Sequence, residues 1–263
     1  MSKQSRLSVG FVGVGSIAAA VVSAILQGPN GDLIDVVLSP RSTARSQSLA
    51  ERFRQVRIAP SNQAVVDGGN VVFVSVLPDQ VVEVCSLLKF RDDQIVVGLS
   101  AGWPPSRLAP HVAPAPLTCQ VIPLPMITLG VGPIVLYPGI PDVERLLIDS
   151  GRLIVLERED DVNILSCLSA IMSSFFAFQN AAIDWAAEHG LDRRQATEYV
   201  TALLNGLSTE AMEMDPVEIS GAVKDHETPG GLNEYIRKSL EDTNVFSDIP
   251  RHLEHLYSTR FGG

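Results

Sequence analysis

The stretch LSVGFVGVGSIAAA, residues 7–20, decides the fold. Residues 7–12 are apolar nearly throughout, as a strand buried on both faces should be, and a helical pattern over Ile17–Leu26 follows two closely spaced glycines. In such a turn Gly13 permits a tight bend, Gly15 lets the backbone approach a pyrophosphate, and small Ala18 lets helix and strand pack closely. The helix N-terminus, opening at Ser16 and Ile17, then faces the phosphates. Strand, turn and helix together read as a dinucleotide-binding start, with a purely structural glycine turn as the other reading. The basic beginning and apolar run also imitate a signal peptide or anchor. Gly10, Gly13, Gly15 and Ser16 interrupt that run, which falls short of the roughly 18 to 20 apolar residues that span a bilayer, so a cytoplasmic protein without a membrane partner is expected.

Outward from this turn, apolar runs at Leu33–Leu38, Val71–Val76 and Gln94–Gly98 alternate with helical patterns at Thr43–Phe53 and Asp79–Leu88. The alternation predicts a parallel sheet covered by crossover helices. Ten of the seventeen prolines fall in residues 104–141, where TCQVI and PIVLY still read as strands between rigid turns. A helix at Asp142–Ile148 and a strand at Leu153–Leu156 complete the sheet. From residue 160 to 214 the pattern is helical, broken at His189-Gly190 with Asp192 as a cap, and more helix follows Pro229-Gly230-Gly231. The expected architecture is therefore α/β: a Rossmann-type parallel-sheet domain over residues 1–156 and an all-helical domain over residues 157–263. Phe175, Phe176 and Phe178 are expected as helix core or dimer packing, and the acidic run Glu157–Asp161 as the start of the first long helix.

The 263 residues are 46% hydrophobic and carry a formal charge of −10. That charge disfavours a general nucleic-acid or membrane-surface binder, since both partners attract basic surfaces. Its distribution is uneven: +4 over residues 1–60, −4 over 61–150 and −10 over 151–263. Cys85, Cys119 and Cys167 are odd in number and form no C-x-x-C pair, which fits buried thiols in a reducing compartment.

The second strand tip reads Ser39-Pro40-Arg41-Ser42, with Arg45 one helical turn later. An enzyme preferring NAD places Asp or Glu here to hold the ribose 2′-hydroxyl, whereas hydroxyls and arginines suit a 2′-phosphate. The expected cofactor is thus NADP, with NADPH preferred over NADH; the plainer alternative is that both arginines are simply solvated. His252 and His255 have helical metal-pair spacing but no accompanying Glu or Cys pattern, so no metal is expected.

GFVGVGSIAAA, LSPRSTARSQSLAERF, NVVFVSVLPDQV and VVGLSAGW, in this order and spacing, resemble the pyrroline-5-carboxylate reductases. SCLSAIMSSFFAF, AAEHGLDRRQA and HETPGGLNEYI continue the resemblance, which covers roughly residues 7–242. It implies an NAD(P)H-dependent reductase of a small imine whose helical domains interlock as a homodimer. It also implies an adenine-ribose corner at Ser39, Arg41, Ser42 and Arg45, a nicotinamide-side turn at Val76, Leu77 and Pro78, and a neighbouring segment Ser100-Ala101-Gly102. A small-molecule substrate would meet Thr228, Gly230, Gly231, Leu232 and Asn233, together with Ser169 from the altered helix start.

Three departures fall on the substrate side. Asn233 stands where the family commonly carries a catalytic Thr, and an amide donates a hydrogen bond but does not readily pass on a proton. Ile122–Met126 replaces a Met-Pro-Asn stretch, and Ser169–Ser173 is larger and more apolar than the family's Ser/Gly-rich start. A less polar or bulkier imine is expected, departing from proline synthesis. His226, whose ordinary pKa suits proton delivery, joins Asn233 as a candidate catalytic residue, with Tyr235 behind them and an exposed loop histidine as the alternative. A carbonyl or hydroxy-acid reductase and an inactive NADP-binding sensor remain the other readings. Against the β-hydroxyacid dehydrogenases, no lysine occurs between Lys89 and Lys224.

Overall fold

The computed structural model describes residues 6–215 and 219–261. The chain divides into two compact units, Met1–Val162 and Asn163–Gly263. The first holds an eight-stranded sheet ordered β3-β2-β1-β4-β5-β6-β7-β8. At its centre β1 (Leu7–Val12) lies between β2 (Ile34–Leu38) and β4 (Val71–Val74), with Val9 beside both Val36 and Val71. Outside them lie β3 (Val56–Ile58) and β5 (Ile95–Gly98), then β6 (Leu117–Pro123), β7 (Pro133–Tyr137) and β8 (Arg152–Val155).

The apolar strands bury both faces, which is why they lack alternation. Val9, Phe11, Phe73 and Val97 face one layer, where α1 (Ser16–Gln27) contributes Val21, Val22 and Ile25. Val12, Val72, Val74 and Val96 face the other, which includes Val65, Val66, Val81 and Trp103. Phe11 and Phe73 stack at 4.6 Å across the β1–β4 ladder. Truncating either ring to Ala costs about 3–5 kcal/mol, because the packed neighbours cannot fill the hole.

Most expected elements form, including α2 (Thr43–Arg52) and α6 (Pro141–Leu147). Elements that were not expected include β3, and α3 (Asn62–Gly68). The predicted Asp79–Leu88 helix is a 3₁₀ turn at Pro78–Gln80 followed by α4 (Val81–Ser86). The sheet is not wholly parallel either, since β7 runs antiparallel to β6. Residues 124–132 are too few for the crossover that parallel pairing requires. After β5 comes α5 (Pro105–Leu108), whose Ser106 amide and hydroxyl are bonded by Glu159. Of the acidic run, Asp160 and Asp161 do open α7 (Asp160–Leu168).

The second unit contains α8 (Met172–Glu188), α9 (Arg193–Glu213), α10 (Ala222–Asp225), α11 (Leu232–Asp242) and α12 (Val245–Phe261). Asp192 caps α9 by accepting the amides of Arg194 and Gln195 at 3.1 and 3.2 Å. Phe175, Phe176 and Phe178 are exposed, the middle ring by 67%, so they are not core of the single chain. Their helix belongs to Asp160–Glu188, the one stretch among the described residues long and apolar enough to cross a membrane by length and composition.

Candidate functional site

The sheet reverses direction of winding at β1, and a crevice opens there at the carboxyl ends of the strands, as expected for a doubly wound sheet. A cavity of about 640 Å³ occupies it. Its floor is the turn after β1. Gly13 has φ +91°, and a Cβ there would lie 2.8 Å from the Ser75 carbonyl oxygen, so only glycine fits without strain. Gly15 differs: a Cβ on it would meet nothing within 4 Å and would stand in open space. It is also the N-cap of α1, and no side chain caps the free amides that open this helix at Ser16 and Ile17. Uncapped amides at the positive end of a twelve-residue helix bordering a cavity form an anion site.

Two serines brace this turn. The Gly13 amide donates to Ser39 Oγ at 3.0 Å, and the Ser75 hydroxyl donates to the Gly13 carbonyl. Ser39 is buried at the β2 tip, its position fixed further by Ser46, whose hydroxyl donates to the Ser39 carbonyl at 3.1 Å. Beyond it Arg41, Ser42 and Arg45 line the same cavity. Both arginines are exposed and have no acidic partner among the described residues. The neighbouring cations differ: Arg54 pairs with Asp32 at 2.8 Å and Arg52 lies over Phe53.

At the opposite end Val76, Leu77 and Pro78 follow β4, and Ser100 and Ala101 follow β5. Of the residues expected at the cofactor, all but Gly102 border one cavity. Asn62, Ser75, Gln80 and Val84 also border it, although sequence reading did not single them out. Asn62 opens α3 behind the Ser61 cap, whose side chain accepts the Ala64 amide at 3.2 Å. That Ser-Asn cap was the available signal.

The expected substrate residues form a separate loop in the helical unit. The Asn233 side-chain amide donates to the His226 carbonyl at 2.8 Å, the Gly231 amide to the Thr228 carbonyl at 2.7 Å, and the Gly230 amide to Glu234. Gly231 caps α11 without a side-chain bond, leaving Leu232 and Asn233 amides at the helix opening. The His226 Nδ1 donates to the Ala222 carbonyl at 2.9 Å while Nε2 lies 3.3 Å from Glu210. The bond to Ala222 and the Glu210 charge favour the imidazolium, so the His226 pKa lies above its ordinary value. Glu234 is held low by hydrogen bonds from Lys238 and from Gly230. Ser169 sits outside this loop, donating to the Ser166 carbonyl at 2.7 Å on the turn Ser169–Ile171.

Tyr235, His252 and His255 are exposed. No group of three His, Cys, Asp or Glu side chains among the described residues is placed to hold a metal. The three cysteines are buried, and burial pushes the Cys85 thiol up to about 11 and that of Cys119 up to about 12, which disfavours these two as thiolate nucleophiles at neutral pH.

Residues 8–102 match a family model described as NADP oxidoreductase coenzyme F420-dependent. No curated protein matches the chain by sequence. Among solved structures, 1-pyrroline-5-carboxylate reductase from Streptococcus pyogenes is 20% identical with a TM-score of 0.79, covering 97% of this chain and 98% of that one. Plasmodium falciparum pyrroline carboxylate reductase with NADP bound is 18% identical with the same TM-score, covering 96% of each chain. A reductive aminase from Aspergillus terreus in complex with NADPH and ethyl levulinate is more distant, 20% identical at a TM-score of 0.58, covering 84% of this chain and 78% of that one. The eight-stranded unit followed by a helical unit is thus the fold of pyrroline-5-carboxylate reductases.

Proposed function

We propose that this chain, built on the fold that pyrroline-5-carboxylate reductases and imine reductases share, is an NADPH-dependent reductase of a C=N bond in a small imine. The observation that carries this reading is the single cavity at the sheet's switch point. It unites an open Gly15, an uncapped α1 and two arginines without an acidic partner among the described residues. These residues fit a phosphorylated dinucleotide. The free amides at α1 suit a pyrophosphate, Arg41 and Arg45 suit a 2′-phosphate through charge-assisted hydrogen bonds, and the Val76–Pro78 and Ser100–Ala101 turns remain for the nicotinamide end. NADPH, when bound, supplies the hydride.

What the chain adds is placement and a donor. In this reading the Leu232 and Asn233 amides hold the substrate's polar end, with Thr228, Gly230 and Gly231 shaping the loop. His226, whose protonated form the Ala222 carbonyl and Glu210 favour, supplies or relays the proton. Asn233 braces the loop through the His226 carbonyl and keeps a second amide proton for hydrogen bonding. The exposed apolar face of α8 is assigned to a second copy of this chain, which makes the protein a homodimer, and the place of action is the cytoplasm.

The test is NADPH oxidation over a panel of cyclic imines, carbonyls and carbonyl–amine mixtures. Turnover on an imine supports the reading, and turnover on carbonyls alone replaces it with a carbonyl reductase. Tight NADPH binding without turnover on any of them replaces it with a cofactor-sensing protein.

A further inference from the structure

Trp103 and Gln120 do not border the cavity, yet both are 97% buried and both spend a polar hydrogen on the turns that do. Trp103 Nε1 donates to the Pro78 carbonyl at 2.8 Å. Gln120 Nε2 donates to the Ser100 carbonyl at 3.1 Å, and the Ser100 hydroxyl in turn donates to the Val76 carbonyl at 2.6 Å. Arg107 completes the frame, lying 4.1 Å over the Trp103 ring while its Nη1 donates to the Gly102 carbonyl at 2.9 Å. His111 meets the same indole edge-on at 5.5 Å.

Loops at strand ends are ordinarily the least stable part of a sheet protein, so their conformation must come from elsewhere. Here the loop after β5 is tied to the loop after β4 at Val76 and Pro78, and Gln120 anchors the first loop from β6, where it stands opposite Gly98. A buried side-chain amide is costly unless paired, which makes the bond from Gln120 to Ser100 informative.

We infer that Trp103 and Gln120 are positioning residues that fix the nicotinamide-side turns of the cofactor site, with Arg107 holding the indole in place. The inference rests on the dinucleotide reading above and deepens it. It separates the cofactor into halves: the adenine-side contacts at Arg41 and Arg45 do not depend on this frame, whereas the turns at Val76–Pro78 and Ser100–Ala101 do.

Calorimetric titration of Trp103→Phe with NADPH and with adenosine 2′,5′-bisphosphate, which lacks the nicotinamide half, tests this. Phenylalanine keeps a ring under Arg107 and removes only the N–H donor. The expected result is an NADPH Kd raised about tenfold, the order of one lost hydrogen bond, with bisphosphate affinity unchanged. Gln120→Leu is expected to give the same split and carries the test if Trp103→Phe does not fold. A folded variant that loses affinity for both ligands equally, or for neither, overturns the positioning role while leaving the cofactor reading intact. Wild-type protein that binds neither ligand overturns the cofactor reading instead.

Discussion

Gly13 and Ser39 are joined by a 3.0 Å hydrogen bond from the glycine amide to the serine hydroxyl, which locks the glycine turn after β1 onto the tip of β2. Two glycines two residues apart therefore have different duties. Gly13→Ala forces a Cβ against the Ser75 carbonyl at positive φ and is expected to lower stability by several kcal/mol, read as a fall in Tm. Gly15→Val is expected to leave Tm nearly unchanged and to abolish NADPH binding, because its side chain enters the cavity. Ser39→Ala is expected to cost about 1–3 kcal/mol by leaving the Gly13 amide unpaired.

Among the described residues Arg41 and Arg45 have no acidic partner, so removing either leaves no described carboxylate unpaired. Arg41→Glu is expected to keep the fold and weaken NADPH by at least tenfold, since one charge-assisted hydrogen bond contributes about 1.5–3 kcal/mol. NADH affinity is expected to change far less. Equal losses for both nucleotides would remove the 2′-phosphate assignment.

His226 offers a pH prediction. Its bond to the Ala222 carbonyl and the nearby Glu210 charge raise its pKa, so folding favours the protonated ring. The associated stability is complete below the ordinary histidine value near 6.5 and is lost as pH rises through the higher folded value. Proton NMR titration of the ring is expected to show a midpoint above that ordinary value, and Glu210→Gln is expected to move it down. A midpoint at or below the ordinary value contradicts the arrangement.

Phe178 and Trp185 are 57% and 63% exposed and stand two helical turns apart on one face of α8, an unfavourable placement in water without a partner. Light scattering of the purified chain in detergent-free buffer is expected to give twice the monomer mass. Phe178→Glu together with Trp185→Glu is expected to give monomers. A wild-type chain that stays dispersed only in detergent would assign this face to lipid.

Much of the fold was legible because buried parallel strands are written as unbroken apolar runs: β1, β2, β4 and β5 each lie within one, and the Asp192 cap marked α9. β3 escaped notice because only Val56 of its three residues is buried, and an edge strand that short carries no periodicity. The antiparallel turn of β7 was equally hidden, since strand direction is set by connection length rather than by composition. Phe175, Phe176 and Phe178 read as possible core because an apolar helix face looks the same in sequence whether its own chain or another surface covers it.

The site divides along the same line. Cavity-lining residues carried by a local motif, such as Gly13, Gly15 and Arg41, could be read from the chain. Ser75, Trp103 and Gln120 bond to turns distant in sequence, Gly13, Pro78 and Ser100, and only the folded sheet brings those turns beside them.

The most direct test of the proposed chemistry is isotope transfer from NADPH deuterated at the reactive nicotinamide carbon. Incubated with the protein and a cyclic imine that it turns over, the label is predicted to appear on the former imine carbon of the amine product, with one stereochemical face of the nicotinamide donating. Binding of the labelled cofactor with no deuterated amine across the imine panel would contradict the account.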